Sequence, residues 1–227
     1  MPSKTIEVTP SAYAYPLLIK QLLRTPLVHS PERQIVDADG SHYNYRTLFE
    51  RINHLANGLS GLGVQPGATV AVMDWDTRRY LECYFAVPMM GAILQTVNIR
   101  LSPEQILYTL NHAKADVLMI GPDFLPILES IADKLESVRS FILMTDAAVA
   151  PPAPVKFSAL YEPLVSAAAA EFDFPDFYEN TQATVFYTTG TTGNPKGVYF
   201  SHRQLVLHTV AATAALGSAA CQGRLHR

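Results

Sequence analysis

Cysteine is nearly absent from this chain. Cys83 and Cys221 stand far apart among 227 residues. They supply no disulfide framework and no C-x-x-C pair, so a reducing, cytoplasmic setting is expected. Basic charge is also scarce. Lys and Arg number 17 against 20 Asp and Glu, for a net charge of −3 at pH 7. No basic field invites nucleic acid or an anionic membrane surface. Long apolar runs are missing. The uncharged stretch 83–99 contains Pro88, Gly91, Gln95 and Asn98, and reads as buried core rather than a membrane span. The N-terminus lacks the order of parts of a signal peptide, because Lys20 and Gln21 break its best apolar run. No internal repeat is evident. His202, His208, Cys221 and His226 fit no zinc spacing, so no metal-binding side chains are expected. What the chain does have is apolar mass. Hydrophobic residues make up 48% and charged residues only 16%, enough for a packed core and too apolar for disorder.

From Tyr43 onward the apolar residues fall into an alternating rhythm. Leu48, Ile52, Leu55, Leu59 and Leu62 mark one face of a helix, capped by Asn44 or by Thr47 with Glu50. Residues 68–75 read as a buried strand, 77–91 as a helix and 92–97 as a strand. Ser102, Pro103 and Gln105 open a helix over 102–113 with a capping box. A strand at 116–121, a helix at 123–138 and a strand at 140–145 continue the pattern. Strands alternating with helices predict a parallel sheet with crossover helices, and near-continuous apolar strands predict cover on both faces. The expected fold is therefore α/β, with a doubly wound, mostly parallel sheet and flanking helices. Residues 147–155 read as a Pro/Ala linker, 164–172 as a short helix, and 182–189 and 197–202 as strands. A further helix is expected over 203–216, capped by Ser201.

Between the last two strands lies a stretch without an apolar side chain. Thr188, Thr189, Gly190, Thr191, Thr192 and Gly193 are followed by Asn194, Pro195, Lys196 and Gly197. This is not a Walker A loop. Counting from Gly190, the sixth and seventh residues are Pro195 and Lys196, where that motif has Gly-Lys before Ser or Thr. The chemistry still suits phosphate. Gly190, Gly193 and Gly197 permit positive φ and close approach of backbone N–H groups. The four threonines offer hydroxyls, and Lys196 is a compact cation suited to a phosphate oxygen. An ordinary Gly-rich hairpin with solvated threonines would have the same composition.

The segment "YTTGTTGNPKGV" (187–198) resembles the phosphate-loop signature of the adenylate-forming superfamily, Y-T-S-G-T-T-G-x-P-K-G-V, with Thr189 in place of the common Ser. The segments at 55–73, 91–119, 177–190 and 198–209 resemble the fatty-acyl-CoA ligase branch, and the likeness covers about Tyr13 to His208. The resemblance implies ATP, Mg²⁺ and CoA as reaction partners and a small carboxylic acid as substrate. The carboxylate would attack the α-phosphorus of ATP to give acyl-AMP and pyrophosphate, and the CoA thiol would then displace AMP. On that reading Thr188–Gly193, Lys196 and Gly197 hold the departing phosphates, and His202 is a candidate for orienting the acyl substrate. A strand-end His bonded to nearby backbone is the competing reading of His202.

The resemblance also implies parts that this chain does not match. No Y-G-x-T-E-like or T-G-D-like segment is present, and the family's catalytic lysine would lie beyond the chain end. The expected organisation is a partial N-terminal AMP-binding domain over 1–216. An atypical tail over 217–227 reads like a frameshift or truncation. The alternative to a ligase is an inactive fragment or a phosphate-binding remnant without an enzymatic role. Asp74 and Asp76 read as loop carboxylates, and Asp173, Asp176 and Glu179 as a solvated acidic face.

Overall fold

The computed structural model describes residues 4–37, 40–188 and 193–222, with 216–222 by backbone alone. After a 3-10 turn at Ile19–Leu23 come α1 (Arg24–His29), β1 (Gln34–Val36), β2 (His42–Asn44) and α2 (Tyr45–Gly61). The alternation follows: β3 (Thr69–Met73), α3 (Arg78–Met89), β4 (Ile93–Thr96), α4 (Pro103–His112), β5 (Val117–Ile120), α5 (Leu125–Ile131) and β6 (Ser140–Leu143). The described chain closes with β7 (Ala159–Leu160), α6 (Tyr161–Ala167), β8 (Gln182–Thr188), β9 (Lys196–Ser201) and α7 (His202–Gln222).

β1 and β2 form a small antiparallel hairpin. The main sheet has seven strands in the order β7-β6-β5-β3-β4-β8-β9. All of its pairings are parallel except β8–β9. β3 shows why it is covered on both sides, since all five of its residues are buried. Val70 and Val72 join Leu48, Ile52, Leu55 and Leu59 of α2 and Cys83 and Val87 of α3 in one core cluster. Ala71 and Met73 join Ile106 and Leu110 of α4 and Leu128 and Ile131 of α5 in the other. Successive strand side chains point to opposite faces, so an uninterrupted apolar strand needs helices on both. The doubly wound α/β expectation is met.

Local chemistry sets the helix ends. Ser102 Oγ accepts from the Gln105 N–H and Gln105 Oε1 accepts from the Ser102 N–H, both at 3.3 Å, the expected capping box. α2 is capped by Asn44, whose side chain accepts from the Thr47 N–H at 2.8 Å, so the Thr47–Glu50 alternative is not used. The helix expected over 123–138 is shorter. It enters and leaves α5 through 3-10 turns at Pro122–Phe124 and Ala132–Lys134. Asn111 of α4 ends it: its amide donates to Lys134 O at 3.0 Å and accepts from the Glu136 N–H at 3.1 Å. The helix expected over 164–172 begins and ends earlier, as α6. Past its end, His54 Nδ1 holds Ala168 O at 2.9 Å and Asn57 donates to Ala169 O at 2.9 Å.

Charge is buried between α2, α3 and α6. Glu82 is fully buried, and it accepts from Arg51 Nε at 2.6 Å and from the Tyr161 hydroxyl at 2.6 Å. Glu162 takes Arg51 at 3.0 Å and Arg79 at 2.9 Å. Burial pushes the Glu82 carboxyl up from its ordinary range while Arg51 pulls it down.

Candidate functional site

The C-terminal ends of β3, β4, β5 and β8 open on one edge of the sheet, the edge where ligands gather in open α/β folds. β8 reaches that edge and β9 returns from it, so the Thr/Gly segment joins two strands, as expected, and they pair antiparallel. The last rung of the hairpin pairs Thr188 with Lys196, and the rung before it pairs Tyr187 with Gly197. Thr188, Gly193, Asn194 and Lys196 are exposed, while Pro195 is buried. Lys196 therefore stands at the mouth of the loop, and among the described residues its ammonium has neither an ion-pair nor a hydrogen-bond partner. Thr189, Gly190, Thr191 and Thr192 lie outside the described residues.

The glycines divide by role. Gly193 takes φ +101°, a conformation that side chains rarely adopt. Gly197 is a strand residue without positive φ, which corrects its reading as a flexible loop position. A Cβ there would sit 2.8 Å from the Tyr199 hydroxyl, so Gly197 makes room for that ring.

The hairpin is anchored from beneath by a contact that sequence reasoning missed. The Tyr187 hydroxyl lies 2.8 Å from Nδ1 of His112 at the end of α4, with the rings edge to face. Burial first, and then the neighbouring Tyr199 and Tyr108, raise the Tyr187 hydroxyl well above an ordinary phenol. It stays neutral and serves as a tether for the end of β8. The pairing joins residues 75 apart in sequence, and neither carries a local signal for it.

His202 is placed differently from Lys196. Its ring is fully buried at the start of α7. The Ile19 N–H donates to Nδ1 at 3.3 Å, which leaves the proton on Nε2, and Phe177 packs against the ring with centroids 4.8 Å apart. Burial lowers its pKa to about 4. Among the described residues Nε2 has no hydrogen-bond partner. The competing reading, a His bonded to backbone, describes these contacts, although the backbone comes from the distant N-terminal segment.

The carboxylates read as a solvated face also have partners. Asp176 pairs with Lys20 at 2.7 Å and accepts from the Tyr13 hydroxyl at 2.6 Å. Glu179 accepts from the Leu17 N–H at 2.8 Å and pairs with Arg203. They tie residues 13–20 to the stretch before β8, and only Asp173 fits the solvated reading. Asp74, at the end of β3, is half-buried. Burial raises its pKa to about 6 against the pull of its hydrogen bonds and Arg79. Among the described residues no group of three or more His, Cys, Asp or Glu side chains gathers to hold a metal ion. No helix among them is long and apolar enough to cross a membrane.

Comparison with known proteins agrees with the fold. A family model for AMP-binding enzymes matches residues 24–223. The chain is 38% identical over 198 residues to a 3-methylmercaptopropionyl-CoA ligase of Ruegeria pomeroyi, covering 86% of this chain and 37% of that protein. It is 43% identical over 175 residues to a long-chain-fatty-acid–CoA ligase of Thermus thermophilus, covering 77% of this chain and 31% of that protein. The chain thus spans about a third of the length of these relatives. Among solved structures, a long-chain-fatty-acid CoA ligase of Rhodopseudomonas palustris, described as putative, superposes with TM-score 0.76 at 25% identity, covering 88% of this chain and 48% of that one. An anthranilate CoA ligase bound to anthranoyl-AMP shares the fold, with TM-score 0.74 at 23% identity over 83% of this chain and 35% of that one. The chain belongs to the family of AMP-binding enzymes.

Proposed function

We propose that this chain supplies the nucleotide-phosphate-binding part of an AMP-forming acyl-CoA ligase acting on medium- or long-chain fatty acids. The observation that carries the reading is the Thr188–Lys196 rung. An exposed hydroxyl and an ammonium without a partner among the described residues flank one loop there, at the C-terminal edge of a parallel sheet. The relatives named for fatty-acyl and methylmercaptopropionyl substrates support an acyl carboxylate as the nucleophile.

In the first half-reaction a carboxylate oxygen bonds to the α-phosphorus of ATP, and the bond from that phosphorus to pyrophosphate breaks. Negative charge grows on the departing phosphates. The Lys196 ammonium, the hydroxyls of Thr188, Thr189, Thr191 and Thr192, and the N–H groups around Gly190, Gly193 and Gly197 are the groups we assign to that charge. Donors aimed at developing charge lower the barrier more than groups that bind substrate and transition state alike. A magnesium ion binds phosphate oxygens and keeps several waters. Supplied with the nucleotide, it would offset negative charge on those oxygens. In the second half-reaction the CoA thiol displaces AMP, and no pyrophosphate charge develops.

That asymmetry provides the test. In a ligase carrying this domain, Lys196→Ala is expected to slow acyl-AMP formation by about 10²–10³, while thioester formation from supplied acyl-AMP changes far less. Equal slowing of both half-reactions would remove the assignment of Lys196 to the departing phosphates. The second reading is a phosphate-binding module without enzymatic role. It rests on the same rung, and predicts nucleotide binding with no acyl-AMP formed under any condition.

A further inference from the structure

A cavity of about 320 Å³ lies between the β1–β2 hairpin and the N-terminal half of α3, and it shares no residue with the β8–β9 hairpin. Three tyrosines line it, Tyr43 from the hairpin and Tyr80 and Tyr84 from α3, together with aliphatic side chains. Its volume is in the range of small-molecule sites, which begin at about 300 Å³.

The charge around the cavity is uneven. Asp37 and Asp76 belong to its lining, and Arg78 is the one basic residue there. The Arg78 guanidinium is engaged elsewhere, with Asp146 at 3.2 Å and Glu162 at 3.5 Å. Asp37 accepts from the Arg78 N–H at 3.0 Å, so one carboxylate already answers the positive end of α3. Asp76 is exposed and forms no ion pair among the described residues. Its field reaches the aromatic wall. Burial first, and then the Asp76 carboxylate, raise the Tyr84 hydroxyl above an ordinary phenol.

Phenol rings and one carboxylate without an ion pair among the described residues together define a ligand class. Aromatic walls hold a cation that needs no hydrogen bonds of its own, and a carboxylate adds direct attraction. An anion would meet Asp37 and Asp76. A neutral apolar molecule would leave the Asp76 charge unanswered. We propose that this cavity binds a small quaternary ammonium compound, with the cation against the rings of Tyr43, Tyr80 and Tyr84 beside Asp76. The site is independent of the phosphate-loop reading, and it stands or falls separately.

Calorimetric titration of the 227-residue chain with choline, and with its neutral carbon isostere 3,3-dimethyl-1-butanol, tests it. The two ligands share shape and hydroxyl and differ in charge. Choline is expected to bind at least about tenfold more tightly than the isostere. Asp76→Asn is expected to weaken choline by about tenfold and leave the isostere unchanged. Tyr84→Phe keeps the ring and is expected to keep binding, whereas Tyr84→Leu loses it. Circular dichroism verifies that each variant is folded, and the exposed Asp76→Asn carries the test if Tyr84→Leu is not. Equal affinity for choline and the isostere, choline affinity indifferent to Asp76→Asn, or no saturable choline binding in the millimolar range would overturn the proposal.

Discussion

His202 sits fully buried at the start of α7, and burial lowers its pKa to about 4 from an ordinary 6.5. Between those values the unfolded chain takes up a proton that the folded one does not, so stability rises with pH across this window. The contribution is complete above pH 6.5 and is lost as pH falls towards 4. A shift of this size corresponds to at most about 3 kcal/mol. Urea unfolding of the wild type and of His202→Asn should therefore give a stability gap that is largest near pH 7.5 and narrows towards pH 4.5. A gap independent of pH would mean that the ring is not held neutral. The residue types of the loop were legible in sequence because Thr, Gly and Lys together carry a chemical meaning. The state of His202 was not, because it depends on Ile19 and Phe177, which reach it through folding. Gly197 teaches the same thing in reverse. Its type was read as backbone freedom, and its use is the space it leaves for Tyr199.

Helices α2, α3 and α6 meet around a buried ion-pair network. Arg51 joins Glu82 and Glu162, and Tyr161 completes the bonding of Glu82. Removing one member of such a network leaves a charge buried without compensation, which costs about 3–5 kcal/mol, whereas replacing both partners by apolar groups costs far less. Arg51→Met should thus destabilise the chain strongly. Arg51→Met combined with Glu82→Met should recover part of that loss in a denaturant titration. Additive losses would show that the pair is not coupled. Periodicity read the elements themselves well. The Ser102–Gln105 capping box and the buried strands of the alternating region lie where the sequence placed them. What periodicity missed has a common cause. The early ends of α5 and α6 are made by Asn111, His54 and Asn57, side chains on other helices. The β1–β2 hairpin and the two-residue β7 are too short to carry a period.

The seven-stranded sheet brings its parallel strand ends to one edge, and the family match over residues 24–223 accords with that architecture. Alternation of strand and helix made the doubly wound fold legible. The polar loop between two β-favouring runs was legible as well, but the antiparallel return of β9 was not read from it. The His112–Tyr187 tether beneath that loop was not legible, since only the packing of α4 against the sheet creates it. On the proposed function, this edge binds the phosphates of a nucleotide through Lys196. The most direct test is calorimetric titration of pyrophosphate and ATP into the chain and its Lys196→Ala variant, at low and at moderate salt. Loss of one charge-assisted contact, about 1.5–3 kcal/mol, predicts at least tenfold weaker binding by the variant, and it predicts that added salt narrows the difference. Equal affinity of the two proteins for pyrophosphate at low salt would contradict the account.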